Sequence, residues 1–135
     1  MQFDVEGNDP LLDPSERQVR SVISALRSYG PKSFASITDA AGNYLQVAGG
    51  SQTYLLERRD AAAGRHFRAY RNERSAIFED GTILAFSGGE MPMKADEWFP
   101  STLVADAFAC FLTGADLPAQ IHWRDITGTL FGQGN

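Results

Sequence analysis

The chain is poor in several residue types, and each shortage excludes a class of structure. Cys110 is the only cysteine among 135 residues, so neither an internal disulfide nor a thiolate zinc cluster can form. The longest apolar run, residues 103–112, is interrupted by Asp106 and is too short to span a bilayer. The first ten residues contain neither a basic segment nor the hydrophobic core of an export signal. These shortages predict a cytoplasmic protein without a membrane segment.

Residues typical of catalytic and cofactor sites are equally sparse. The two histidines, His66 and His122, do not form an HxxxH or HxH pair. The chain has no GxSxG nucleophile elbow and no phosphate-binding P-loop. The adjacent carboxylates at 79–80 and 96–97 would point to opposite faces of a strand, so their spacing does not predict an acid–base dyad. The sequence therefore predicts a protein with no enzymatic activity, no metal and no cofactor.

Charge is unevenly distributed along the chain, whose formal net charge is −5. Residues 58–74 contain six arginines, whereas residues 75–135 carry eight acids against Lys94 and Arg124. Neutralising nucleic-acid phosphates requires a basic face, so the overall balance argues against direct binding of nucleic acid. An acidic C-terminal half suits a basic protein partner, although acids serve equally well to keep a small protein in solution.

The arginine-rich segment contains a strand with alternating side chains. His66, Arg68 and Tyr70 would share one face of this strand, a combination that can stack nucleic-acid bases. The simpler interpretation is a half-exposed, solvated face whose arginines pair with nearby acids, and the acidic remainder of the chain favours it. The acids expected to form these pairs are Glu57, Asp60 and Glu73.

Two helices are predicted from apolar spacing and from the residues at their ends. Asp13 as N-cap and Pro14 in the first turn predict the start of a helix that ends at Gly30-Pro31. A second helix, from Ser101 to Gly114, is apolar around more than half of its circumference. We therefore expect the second helix to be the more deeply buried.

Alternating segments between and after the helices predict an antiparallel sheet of about five or six strands with one solvated face. The predicted strands cover residues 33–38, 44–47, 53–58, 66–71, 82–86 and 120–123, with a hairpin turn at 79–81 that follows a short strand at 77–78. Residues 1–135 are thus expected to form a single α+β domain.

The segment GGEMPMKADEWFP, residues 88–100, is the predicted binding surface. Its glycines and prolines predict an irregular and partly exposed backbone. Apolar anchors interleaved with carboxylates are typical of a tight interface with a basic protein, because the anchors supply affinity and the acids steer association. The candidate partner-binding residues are Glu79, Asp80, Glu90, Met91, Asp96, Glu97 and Trp98. Alternatively, Trp98 and Phe99 fill the core ahead of the second helix, which is the favoured interpretation for Phe99.

An aromatic–proline entry, an apolar helix closed by glycine and an "LP…W" exit give the C-terminal half a resemblance to a known family. The residues that carry it are Trp98, Phe99, Pro100, Phe108, Phe111, Leu112, Gly114, Leu117, Pro118, Trp123 and Asp125. With the glycine-flanked strand GNYLQVAGG, these residues make the chain similar to small bacterial immunity proteins. Such proteins protect a cell from the toxin domain of its own polymorphic or contact-delivered effector.

The resemblance implies a non-enzymatic inhibitor that forms a stoichiometric complex with its cognate toxin domain. In such families the toxin is often a nuclease or a nucleic-acid deaminase, which tends to carry a basic substrate cleft. Two alternatives come from other functional classes. One is a chaperone or adaptor for a secreted effector, and the other is a small-molecule-binding α+β domain with its cleft between sheet and helices.

Overall fold

A computed structural model describes residues 1–129. Two helices and nine strands follow one another in this part of the chain, and a short 3-10 turn, Thr127–Thr129, comes after the last strand. The elements are β1 (Gln2–Val5), β2 (Leu11–Leu12), α1 (Glu16–Ala25), β3 (Phe34–Thr38), β4 (Tyr44–Gly50), β5 (Thr53–Asp60), β6 (Arg65–Tyr70), β7 (Thr82–Phe86), β8 (Gly89–Met93), α2 (Ser101–Thr113) and β9 (His122–Asp125).

Seven strands form one antiparallel sheet in the order β2-β1-β3-β4-β5-β6-β9, and β7 and β8 pair separately as a hairpin. The α+β class with an antiparallel sheet and two helices is therefore confirmed. The main sheet is wider than predicted because β1 and β2 add to one edge. Strands of four and two residues are too short for alternation to distinguish them from an irregular terminus.

The main core lies between the two helices and one face of the sheet. Alternate strand residues such as Ile37, Leu45 and Leu56 point into it and are buried. Phe108 of α2 is fully buried and meets the ring of Phe3 edge to face, with 6.3 Å between ring centroids. Five residues of α2 are buried, compared with two residues of α1. This confirms that α2 is the more deeply buried helix.

The start of α1 differs from the prediction, since Ser15 and not Asp13 is the N-cap. Ser15 Oγ accepts a hydrogen bond from the Gln18 backbone N–H at 3.1 Å, and the Gln18 side chain accepts one from the Ser15 N–H at 2.8 Å. This reciprocal capping box decides between the two cap-type residues that flank Pro14. Asp13 adopts a left-handed backbone conformation, and its carboxylate pairs with the N-terminal ammonium at 3.2 Å.

Ser15→Ala should lower the free energy of unfolding by about 1 kcal/mol, because the first turn of α1 loses its cap. Asp13→Ala is the matched control and should have a smaller effect, because its ion pair is exposed to solvent. Urea denaturation of both variants measures the difference. If the Asp13 substitution proved the more costly, the capping box would not be what fixes the start of this helix.

The Gly49-Gly50 pair belongs to β4, and the turn from β4 to β5 lies at residues 51–52. Gly49 has a φ of 105°, a value that L-residues rarely adopt. A Cβ on Gly50 would lie 2.2 Å from the carbonyl oxygen of Leu26, at the C-cap of α1. The glycines therefore allow the end of α1, which stops at Ala25 well before the predicted Gly30-Pro31, to pack directly on the sheet.

The predicted turn at 79–81 is present, with the Thr82 N–H bonded to the Glu79 carbonyl oxygen at 3.1 Å, but it precedes the β7–β8 hairpin, which replaces the predicted irregular segment. Thr82–Phe86 pairs with Gly89–Met93 across Ser87 and Gly88, and residues 77–78 do not form a strand. Pro92 made this segment look irregular, but an edge strand tolerates a residue without a backbone N–H. The buried side chains Leu84, Met91 and Met93 pack with Trp98 against Leu55 of β5, on the face of the sheet opposite the helices. We call this face the hairpin face.

Candidate binding site on the hairpin face of the sheet

Six strands each place one polar side chain in a row across the hairpin face. The register pairs each member directly with the next, from β1 through β3, β4, β5 and β6 to β9. This polar row consists of Asp4, Ser36, Gln46, Glu57, Arg68 and Arg124. Directly paired side chains on one face are close enough to interact. The row begins with the carboxylate of Asp4 at the β1 side and ends with the guanidinium groups of Arg68 and Arg124 at the β9 side.

Glu57 is the centre of a buried ion-pair cluster and is only 1% exposed. Its Oε1 accepts hydrogen bonds from His66 Nε2 at 3.1 Å and Gln46 Nε2 at 2.9 Å, and its Oε2 accepts one from Arg68 Nε at 2.9 Å. Burial by itself raises the pKa of Glu57, but the hydrogen bond from His66 and the charge of Arg68 outweigh burial and hold the pKa below its ordinary value. Glu57 is therefore an ionised and fully hydrogen-bonded carboxylate.

Arg124 extends this cluster to the segment that follows β8. Its Nη1 donates to Glu97 Oε2 at 2.6 Å, and its Nη2 donates to Asp96 Oδ2 at 3.1 Å. Glu97 also lies 3.6 Å from Arg68 Nη1. The guanidinium of Arg124 stacks over the ring of Tyr70 at 4.5 Å. These contacts fasten the segment between β8 and α2 to strands β6 and β9.

The side chains predicted to bind a partner fall into two groups. Met91, Glu97 and Trp98 are buried, so the predicted partial exposure of this segment is wrong for these three, whereas Asp96 is half-buried. The physical reason is that the hairpin folds onto the sheet, which places the ring of Trp98 against that of Phe78, 4.4 Å away.

The other three predicted residues, Glu79, Asp80 and Glu90, are exposed. Asp80 pairs with Arg74 at 3.0 Å and accepts a hydrogen bond from the Ala95 N–H at 2.7 Å. These bonds hold the pKa of Asp80 below its ordinary value, the backbone bond from Ala95 contributing most. The surface therefore presents these three acids to a partner but not the aromatic side chain of Trp98. Binding of a partner through the acids stays a prediction.

The strand face of His66, Arg68 and Tyr70 is not the solvated surface that the sequence predicted. His66 is 2% exposed, and Glu57 is the acid that pairs with both His66 and Arg68. The other two acids expected to pair with this face have different partners, since Asp60 accepts a bond from the Ala63 N–H and Glu73 lies 3.7 Å from Arg71. Because His66 is buried, the three side chains do not form an exposed platform for stacking bases.

A cavity of about 520 Å³ lies between the hairpin and the acidic end of the polar row. Its apolar lining consists of Val5, Phe34, Ala35, Val47, Ala48, Leu55, Phe86 and Met91, together with the backbone of Gly7 and Gly88. Its polar lining consists of Asp4, Glu6, Ser36, Gln46 and Glu57. The described lining thus carries three carboxylates and no lysine, arginine or histidine. The volume is within the range of pockets that hold small molecules.

The three carboxylates of this cavity differ in how their charge is compensated. The charge of Glu57 is balanced by Arg68. Glu6 accepts hydrogen bonds from the N–H of Ser33 at 2.7 Å and from the hydroxyl of Ser87, which lower its pKa, the Ser87 bond contributing most. Asp4 accepts hydrogen bonds from the neutral amide of Gln2, at 3.0 and 3.1 Å. Among the described residues neither Asp4 nor Glu6 forms an ion pair, but Lys32, whose Nζ donates to the Glu6 backbone carbonyl at 3.2 Å, also lowers the pKa of Glu6 through its charge. Asp4 is therefore the carboxylate of the cavity with the least compensated charge.

Comparison with known proteins adds no family assignment. No protein-family model matches the chain, and no curated protein matches it. Within residues 1–129, no helix has the length and apolar character needed to cross a membrane. No group of three or more His, Cys, Asp or Glu side chains in the same range is arranged to hold a metal ion.

Proposed function

We propose that the chain is an immunity protein that binds the toxin domain of a bacterial effector and neutralises it without catalysis. The observation that carries this proposal is a preformed cavity at the β1 side of the hairpin face, whose lining is acidic and contains no basic side chain. A concave surface of one charge sign attracts a partner of the opposite sign. The basic substrate cleft of a nuclease or a nucleic-acid deaminase has that sign. The sequence resemblance to immunity proteins supports the same conclusion.

The burial of His66 supports a binding role over a catalytic one. Its Nε2 is hydrogen-bonded to Glu57, and its Nδ1 is buried without a hydrogen-bond partner in the described part of the chain. A general base must come within hydrogen-bond reach of the proton that it removes. A substrate in solution cannot approach either nitrogen of this ring while the cluster is intact.

The outward surface of the hairpin supports contact with a protein partner. Ile83 is 50% exposed and lies directly across from the exposed Pro92, and Ala85 lies across from Glu90. This surface therefore combines apolar side chains with a carboxylate, and Glu79 and Asp80 precede it in the chain. Exposed acids at the rim of an interface act mainly on the rate of association.

A second candidate function is binding of a small molecule, which the volume of the cavity favours. Pockets of about 300–1,000 Å³ commonly hold such ligands. The cavity lies on the hairpin face and not between the sheet and the helices, where the sequence-based alternative placed a cleft. On the helix side, a smaller cavity of about 270 Å³ is lined by Arg58, Phe111 and Leu117 among others.

Reversing the charge of Glu79, Asp80 and Glu90 to lysine should slow association with the toxin about tenfold or more at low salt, because rim charges steer encounter. The partner would be obtained by co-expressing the chain with the product of the adjacent upstream gene and isolating the complex. Asp116→Lys is the matched control, because Asp116 is an exposed acid in the loop after α2. Stopped-flow measurements at two salt concentrations give the rates, and circular dichroism confirms folding. An unchanged rate for the triple variant would place the interface elsewhere on the surface.

A further inference from the structure

We infer that the cavity on the hairpin face receives one basic side chain of the protein partner, an arginine or a lysine. The apolar stem of this side chain lies along the hydrophobic wall, and its cationic head reaches Asp4. The inference rests on the proposed function and names the contact that holds the toxin in place. Cavities of this volume hold drug-sized molecules, so there is room for the side chain and part of the loop that carries it.

The acceptors in the cavity select a cation and reject an anion. Asp4 and Glu6 are carboxylates without a basic partner within ion-pair distance among the described residues. Gln46 donates its side-chain N–H to Glu57, which leaves its carbonyl oxygen as a further acceptor. A phosphate or carboxylate ligand would meet like charges on this wall, whereas a guanidinium or ammonium group would meet opposite ones.

Asp4 is the carboxylate most available to an incoming cation. The Glu6 carboxylate accepts hydrogen bonds from Ser33 and from Ser87 in the hairpin turn. It therefore links the main sheet to the hairpin at the edge of the cavity. Glu57 already accepts hydrogen bonds from Arg68 and His66, so its oxygens are not available to a ligand. Asp4 is half-buried and is bonded only to a neutral amide from its own strand. A partially desolvated carboxylate binds a cation more strongly than one fully surrounded by water.

An aromatic pair provides the second part of a cation site. Phe34 of β3 is 38% exposed, and its ring meets that of Phe86 of β7 edge to face, with 6.3 Å between centroids. Both rings line the cavity that also holds Asp4. Aromatic faces attract guanidinium and ammonium groups, and they also cover the methylene stem of a long basic side chain. The exposed ring of Phe34 and the half-buried ring of Phe86, beside the unpaired carboxylate of Asp4, thus match both halves of an arginine or lysine side chain.

The first experiment uses n-butylguanidinium as a mimic of the arginine side chain, with n-butanol and butyrate as matched controls. Titration followed by two-dimensional NMR should give saturable shifts at Asp4, Ser36 and Ala48 with the cation alone. Asp4→Asn should weaken the affinity for the cation about tenfold, because it removes a charge-assisted contact. Asp116→Asn should leave it unchanged. Equal binding of n-butanol, or no saturable shift in the cavity, would overturn the inference.

The second experiment separates the cavity from the proposed function by measuring the dissociation constant for the toxin. The variants Asp4→Asn and Phe34→Ala should each weaken binding about tenfold or more, mainly through faster dissociation. If the toxin is bound and neutralised equally well by wild type and both folded variants, the inference fails while the proposed function stands. If wild type binds the cation but no toxin, the site serves small organic cations, and both the inference and the proposed function fail.

Discussion

Glu57→Ala should lower the free energy of unfolding by about 3–5 kcal/mol, the range found when one partner of a buried ion pair is removed. The substitution removes the carboxylate that accepts hydrogen bonds from Arg68, whose side chain is 13% exposed, and from the buried imidazole of His66. Arg68 then retains the more distant carboxylate of Glu97, at 3.6 Å. It also removes the acceptor of the Gln46 amide. Urea denaturation at neutral pH, followed by tryptophan fluorescence and circular dichroism, measures the loss.

Two variants serve as controls for this result. Glu90→Ala removes an exposed carboxylate from the hairpin and should have little effect on stability. Glu57→Gln keeps the shape of the side chain and one acceptor oxygen. Its loss of free energy of unfolding should therefore lie between those of Glu90→Ala and Glu57→Ala. Equal costs for Glu57→Ala and Glu90→Ala would show that the buried cluster does not stabilise the fold.

The contribution of Glu57 should also depend on pH in a defined direction. Its pKa in the folded protein lies below the value of about 4.3 expected in the unfolded chain. Its stabilising effect is therefore complete above that unfolded value and is lost as the pH falls through the folded pKa. Acid should consequently destabilise wild type more steeply than Glu57→Gln, which has no carboxylate to protonate at this position.

Phe108→Ala should lower the free energy of unfolding by about 3–5 kcal/mol, because it leaves a cavity in the centre of the main core. The Phe108 side chain is fully buried between α2 and the sheet, and its ring packs edge to face on Phe3. Phe111→Ala is the matched substitution one turn later in the same helix. Since Phe111 is only half-buried, its loss should cost less.

Thermal and urea unfolding of both phenylalanine variants would test this order. The cap variant Ser15→Ala gives a common reference, because its expected cost of about 1 kcal/mol comes from one helix terminus. If Phe111→Ala were the more damaging, or if Phe108→Ala cost no more than the cap, α2 would not be packed as described.

The elements that sequence predicted best are those with a long periodic pattern and clear terminal residues. α2 runs from Ser101 to Thr113 and ends at Gly114, which takes the left-handed conformation expected of a C-cap glycine. The central strands β3 to β6 also occur at the predicted places with small shifts at their ends. β1, β2 and β8 were missed because two of them are very short and the third contains Pro92.

The candidate site could not be predicted because it depends on the register between strands. Asp4, Gln46, Glu57 and Arg124 are far apart in sequence, and only the pairing of six strands places them in one row. The acids at 96–97 looked exposed because their partner, Arg124, follows them only after the whole of α2. Alternation did show that His66, Arg68 and Tyr70 share a face, but it carries no information about what covers that face.

Stoichiometric binding is the means by which we propose that the chain neutralises a toxin domain. It is tested most directly by titrating the nucleic-acid-modifying activity of the toxin domain, isolated through co-expression with the upstream gene product, against the purified chain. We expect the activity of the toxin domain to fall in proportion to the added chain and to disappear at equimolar amounts. Full activity in the presence of excess chain, or complete inactivation by a small fraction of an equivalent, would contradict it.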